Sequence, residues 1–263
     1  MSRLAVIQVD LVVPLRDENP IRITPYVTYG LIAVNVLVFL VEISLPPDAL
    51  LAFFKSWAMV PEQLSTSFQG GVSVVNAEEW LTLITSQFLH AGLLHLGGNM
   101  LYLWIFGNNV EEQLGRVQFL GFYLLCGVLA SLAQWYVAPE SEIPSLGASG
   151  AIAGVMGAYI FRFPEVRILT FVPLGFLFTT LRIPAILYLG IWFLQQALYG
   201  VSSLEAPAMV GMEGGGVAYW AHAGGFVFGA VLGPLFGLFD RASASNQSLG
   251  ADEQPPSPDP PES

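Results

Sequence analysis

Three stretches of this chain carry residues that could do chemistry, and each borders or opens an apolar run. The first is Gly147-Ala148-Ser149-Gly150, which leads into Ala151-Ile152-Ala153-Gly154-Val155-Met156-Gly157. A serine in the first turn of a helix lies beside backbone N–H groups that have no acceptor within the helix. An oxyanion forming next to its hydroxyl would be stabilised there. The second is Ala221-His222-Ala223-Gly224-Gly225-Phe226-Val227-Phe228-Gly229, with Gly225 and Gly229 on the helical face of His222 at i+3 and i+7. An imidazole brought against a serine hydroxyl is a general base for attack on a carbonyl. The third holds His95 and Asn99, stacked at i and i+4. Both donate hydrogen bonds, so they suit an oxyanion hole better than a base.

The elements that must position these groups follow from hydropathy. Hydrophobic residues make up 54% of the chain and charged residues 11%, with a mean hydropathy of +0.62. That is more apolar surface than one soluble core of this length can hide, so the chain is read as a multi-pass membrane protein. The first spanning segment runs from Tyr26 to Leu45 and ends at Pro46-Pro47; at about 20 residues it matches the hydrocarbon thickness of a bilayer. Further helical spans are expected at 94–112, 116–137, 148–163, 183–201 and 220–239, which makes an all-α bundle of six transmembrane helices.

Between the first two spans, residues 46–93 are too polar to cross and too apolar for an ordinary linker. They are expected to form an interfacial loop with short helices, anchored at headgroup level by Leu50, Leu51, Phe53, Phe54, Trp57 and Trp80. Val166 to Thr180 is apolar but broken by Pro173 and Gly175, which suggests an interfacial or re-entrant piece. Residues 1–25 read as a cytoplasmic arm, and 240–263, rich in Ser, Pro and acidic residues, as a disordered tail.

Basic residues are few enough to test orientation. With the N-terminus inside, Arg3, Arg16, Arg22, Arg116, Arg162, Arg167, Arg182 and Arg241 fall on one side and Lys55 alone on the other. By the positive-inside rule both termini are cytoplasmic. His95, Asn99, Ser149 and His222 then share one depth near the extracytoplasmic face, where they can converge. Gly150, Gly154 and Gly157 in one helix, with Gly225 and Gly229 in the other, would let the two backbones approach closely.

Other chemistries are set aside by inventory. A net charge of −11 offers no basic surface for nucleic acid. The single cysteine, Cys126, excludes an intrachain disulfide and a thiolate metal cluster. No aspartate lies in the expected spans, which argues against a carboxylate dyad, and the only lysine, Lys55, sits in the loop. No metal site is expected: H-E-x-x-H is absent, and His90 and His95 stand about 140° apart on a helix. A transporter would be expected to place acidic residues along a path through the bilayer, and the chain is read as offering none.

These residues resemble the rhomboid intramembrane serine proteases. Thr85-Ser86-Gln87-Phe88-Leu89-His90-Ala91-Gly92-Leu93-Leu94-His95-Leu96-Gly97-Gly98-Asn99-Met100 is similar to the family's loop-to-second-helix signature. Gly147-Ala148-Ser149-Gly150 is similar to its G-x-S-G motif, and His222 to Gly229 to its A-H-x-x-G-x-x-x-G motif, in a resemblance covering about residues 26–239. It implies a six-helix rhomboid-like bundle in which Ser149 is the nucleophile and His222 the general base. It further implies that His95, Asn99 and the Ser149 backbone N–H bind the oxyanion, with no cofactor. His90, Gly147, Gly150, Gly225 and Gly229 would support the site. Val110-Glu111-Glu112-Gln113-Leu114-Gly115 resembles the end of the family's second helix, where Glu111 would be a structural carboxylate.

The implied substrates are single-span membrane proteins, met within membrane lipid. A catalytically silent relative that binds membrane proteins is the alternative, but such relatives typically lack the serine or the histidine. Two departures from the family pattern stand out. Trp80-Leu81-Thr82 replaces a Trp-Arg pair in the first loop, and Ala153 occupies a position where some members stack a tyrosine on the histidine. Orientation of His222 must then come from other packing.

Overall fold

The computed structural model describes residues 12–69, 77–174, 177–205 and 217–239. Arg3, Arg241 and the tail expected at 240–263 lie outside them, as do the first residues of the N-terminal arm. After strand β1 (Val13–Asp17) comes helix α1 (Tyr26–Ser44), whose buried Thr28, Leu31, Asn35, Phe39 and Glu42 recur every three or four residues as one inward stripe. The loop between the first two expected spans folds into α2 (Pro47–Trp57), α3 (Pro61–Gln69) and α4 (Ala77–Thr85). Met59, Leu64 and Leu83 form a small core of their own there, with Trp80 and Trp135 packed against it. Leu51 and Trp57 remain exposed.

Next come α5 (Leu93–Tyr102), a π-helical turn (Leu103–Gly107) and α6 (Asn108–Leu114), which together form one continuous helical rod. The positive φ of Gly115, 83°, turns the chain within one residue into α7 (Arg116–Val137). α8 (Ser149–Arg162), α9 (Ala185–Glu205) and α10 (Tyr219–Leu235) follow. Among the described residues, α1, α7 and α9 are each long and apolar enough to cross a bilayer as single helices.

α8 is the centre of the bundle, with every residue from Gly150 to Tyr159 buried. Small residues make this possible. A methyl group added at Gly229 would overlap the Gly154 carbonyl, and one at Gly157 the Phe226 carbonyl, so α8 and α10 touch backbone to backbone. On the other flank, Gly150 meets Ala130 and Gly154 meets Cys126, both from α7.

The piece at 166–180, expected to be interfacial or re-entrant, lies largely within two antiparallel strands, so the fold is mostly rather than wholly helical. β2 (Arg167–Leu174) pairs with β3 (Leu177–Pro184) in the register Ile168↔Ile183 and Thr170↔Leu181. The run is rich in β-branched and aromatic residues, and Ile168 and Thr170 are buried whereas Phe178 and Leu181 are exposed. β1 adds to β2 through Val13↔Phe171 and Asp17↔Ile168, giving a sheet of order β1-β2-β3. The arm is thus tied to the bundle. Asp17 Oδ2 accepts hydrogen bonds from Asn109 Nδ2 at 2.8 Å and from Tyr159 Oη at 2.7 Å.

Candidate active site

α8 begins at Ser149, with no side chain capping its first turn, so its leading N–H groups have no partner within the helix. The turn before it is held by Gly147, whose φ of 124° suits glycine and whose N–H donates to the Ser86 carbonyl at 2.8 Å. Glycine is required there twice over. A Cβ at Gly147 would stand 2.9 Å from His95 Nε2 and 3.6 Å from Ser149 Oγ, so the His95 imidazole and the Ser149 hydroxyl both border the space beside Gly147.

His222 enters from α10, in whose first turn Gln134 Oε1 accepts the Ala221 N–H at 3.3 Å. Because Gly225 and Gly229 seat this helix directly on α8, His222 Nε2 comes within 2.8 Å of Ser149 Oγ. That is the geometry in which a hydroxyl donates to an unprotonated ring nitrogen. On the other edge of the ring, His222 Nδ1 lies 2.8 Å from Gln196 Oε1 of α9. Trp192, one turn earlier on α9, places its ring 5.8 Å from the imidazole at 33°.

The other sequence candidates fall into two groups. His95 borders Gly147, two residues before Ser149, as described. Asn99 is buried one turn further along α5 and donates its Nδ2 to the His95 carbonyl at 2.9 Å; among the described residues it makes no hydrogen bond to Ser149. His90 is buried with neither ring nitrogen hydrogen-bonded among the described residues, and its ring meets the His95 ring edge-on at 5.1 Å. Burial, with the His95 charge as a smaller cause, pulls His90 down to about 4, so it is neutral near pH 7.

Glu111 lies at the far end of the α5–α6 rod. Its carboxylate accepts from Val27 N at 3.0 Å, Thr28 N at 2.8 Å and Thr28 Oγ1 at 2.8 Å. α1 has Pro25 at its cap and no cap of its own, so Glu111 caps it across the bundle, a negative charge on the positive end of a helix.

Three contributors were missed in the sequence. Gln196 and Trp192 carried a signal, since a polar side chain within a spanning segment is a functional candidate by default. Glu42, like Glu111, puts a buried acidic side chain within an expected span, against the reading that the chain offers none. It is buried in α1, and its carboxylate accepts the His90 N–H at 3.1 and 3.3 Å, tethering the loop that leads to His95.

Against Ser149 lies a cavity of about 20 Å³, walled by Ser86, Gln87, Ser131, Ser145 and Gly147. It has room for one water, with polar groups to hold it. Among the described residues no group of three His, Cys, Asp or Glu side chains is placed to hold a metal ion. The arrangement sets an imidazole nitrogen within hydrogen-bond reach of a serine hydroxyl at the start of a helix, as a general base and a nucleophile require.

Residues 77–239 match the family model described as Rhomboid domain. The chain is 33% identical over 159 residues to Rhomboid protein 1, mitochondrial, of Saccharomyces cerevisiae, covering 58% of this chain and 41% of that protein. It is 32% identical over 222 residues to Rhomboid protease GluP of Bacillus subtilis, covering 82% and 37%. It is 33% identical over 172 residues to Rhomboid-like protein 11, chloroplastic, of Arabidopsis thaliana, covering 64% and 56%. The chain thus spans between about a third and somewhat over half the length of these relatives.

Proposed function

The chain belongs to the rhomboid family, and from that premise we propose that it is an intramembrane serine endopeptidase working through Ser149 and His222. The hydrogen bond of 2.8 Å between Ser149 Oγ and His222 Nε2 carries the reading. One relative is named a protease, which supports the same class of reaction here.

In this mechanism Ser149 Oγ attacks a peptide carbonyl as its proton passes to His222 Nε2. The first-turn N–H groups of α8, with His95 and Asn99, stabilise the tetrahedral oxyanion; a single such donor is worth about 3 kcal/mol. His222 then gives the proton to the leaving amine, and an acyl-enzyme remains on Ser149. Water attacks it, His222 takes the water's proton, and the acid product leaves as the serine is restored. The small cavity against Ser149 offers a place for that water.

A peptide bond inside a helix has its carbonyl engaged and its face covered, so the substrate must unwind locally. Single-span proteins whose helices contain Gly, Ala or other destabilising residues are the substrates proposed. Their segment would approach within membrane lipid, without a cofactor. The proposed architecture is six spans within residues 26–239, namely α1, the α5–α6 rod, α7, α8, α9 and α10. Both termini are then cytoplasmic, and the site opens to the extracytoplasmic side. The positions of Arg16, Arg22, Arg116, Arg162, Arg167 and Arg182, with Ser149 at the opposite end of α8 from Arg162, support that orientation.

The test is cleavage of a single-span reporter by purified protein in liposomes, comparing wild type with Ser149→Ala and His222→Ala. Product from the wild type alone, with both variants retaining the wild-type melting temperature, is expected. Equal behaviour of all three would sink the dyad and leave a membrane-protein-binding role as the reading to pursue.

A further inference from the structure

On the reading that Ser149 and His222 are the reacting pair, we infer that Gln196 is the positioning residue of the base, holding His222 in the tautomer whose Nε2 can take the serine proton. A neutral imidazole has one protonated and one bare nitrogen, and only the bare one can act as base. The Ser149 hydroxyl lies 2.8 Å from Nε2, so catalysis requires the hydrogen to sit on Nδ1. Gln196 Oε1, 2.8 Å from Nδ1, is a carbonyl oxygen and can only accept. Its presence selects the Nδ1–H form.

The ring is fixed in a second way by the same helix. Trp192 and Gln196 are one turn apart on α9, the indole packed along the imidazole face and the amide bonded to its edge. Trp192 also packs on Phe226, whose own ring stacks on Phe193 at 4.8 Å, so the indole is itself held. α8 offers no aromatic ring at Ala153, and α9 supplies the ring contact instead. Gln196 is only 8% exposed, which leaves little water to compete for Nδ1. A neutral amide does this work without burying a carboxylate in an apolar bundle. It orients the ring and adds no formal charge opposite the imidazolium that forms.

The test uses the full chain in detergent or liposomes, with Gln196→Met and Gln196→Glu beside Ser149→Ala. Methionine keeps the length and loses the acceptor; glutamate keeps an acceptor oxygen. For Gln196→Met, kcat for a reporter substrate is expected to fall about tenfold or more, with KM within about twofold. The rate at which a fluorophosphonate labels Ser149 should fall in parallel, and Gln196→Glu should recover most of both. Tautomers are read directly from nitrogen-15 shifts in histidine-labelled protein, which is tractable because the chain has 3 histidines. The wild type should show a protonated Nδ1 and a bare Nε2 on His222, and Gln196→Met a mixture.

Wild-type kcat and an unchanged nitrogen-15 pattern in Gln196→Met would overturn the role of Gln196. So would equal losses in the Met and Glu variants, which mark a merely structural contact. If instead Ser149→Ala still cleaves, the underlying dyad reading fails, and the nitrogen-15 pattern still decides the tautomer question on its own.

Discussion

Gly229→Ala is the perturbation that most directly couples packing to the proposed chemistry. The methyl group would overlap three backbone atoms of Gly154, its carbonyl oxygen, carbonyl carbon and Cα. Backbone has no rotamer to change, and non-bonded carbon atoms settle at about 3.5–4.0 Å. α10 must therefore back away from α8 by about 1 Å or more. Overpacking of this kind destabilises by about 1–3 kcal/mol. His222 sits two turns earlier on the same face of α10, so the displacement stretches a 2.8 Å hydrogen bond toward or beyond its limit of about 3.5 Å. Misplacement of a reacting group by about 1 Å can lower the rate about a hundredfold. Melting temperature in detergent and reporter cleavage measure the two effects together. Gly190→Ala in α9 is the control, since among the described residues a Cβ there meets nothing within 4 Å beyond its chain neighbours and its own helix backbone. It should gain about 0.5–1 kcal/mol from helix propensity and cleave normally. If Gly229→Ala melts and cleaves like Gly190→Ala, close backbone contact between α8 and α10 is not what holds the site together.

Three further outcomes are expected. Asn99→Ala should lower kcat about 10²–10³-fold if the amide reaches the oxyanion, and a drop below about threefold would confine Asn99 to its bond with the His95 carbonyl. Glu111→Ala should destabilise by about 1–3 kcal/mol in denaturant unfolding, because Val27 N, Thr28 N and Thr28 Oγ1 lose their acceptor; an unchanged midpoint would dismiss it as the cap of α1. Burial raises Asp17 from 3.8 to about 6, so the folded protein binds that proton more tightly than the unfolded chain. This contribution is full below about pH 4 and is lost as pH rises through about 6. The melting temperature should therefore fall over that window in the wild type and less steeply in Asp17→Asn, and parallel slopes would refute the assignment.

Much of the candidate site is legible in the sequence because its residues announce themselves locally. A serine after glycine at a helix start, a histidine above glycines at i+3 and i+7, and a His-x3-Asn face each need only the helical period to be interpreted. The helices long and apolar enough to cross a bilayer, α1, α7 and α9, are legible for the same reason, since length and hydropathy are properties of a continuous segment. The hairpin is not. Residues 167–174 and 177–184 are apolar on both faces of each run, so neither period stands out, and what makes them strands is pairing with each other and with 13–17 far back in the chain.

Carboxylates and amides divide along the same line. That Glu42 lies in an apolar helix is plain from the sequence, but its partner is a backbone N–H 48 residues away. Glu111 is suggested by the motif around it, whereas the first turn of α1 as its partner is a contact between helices. Gln196 is the sharpest case. Its place in an apolar helix is local, while its meeting with His222 depends on how α9 is rotated against α10, which side-chain packing along both helices sets jointly. The sequence by itself determined which residues could react and which helices carry them, because those follow from side-chain chemistry and period. The tertiary structure alone decided which nitrogen of His222 faces Ser149 and what holds it there, because hydrogen bonds between helices depend on rotations and separations of a few tenths of an ångström that no single segment encodes.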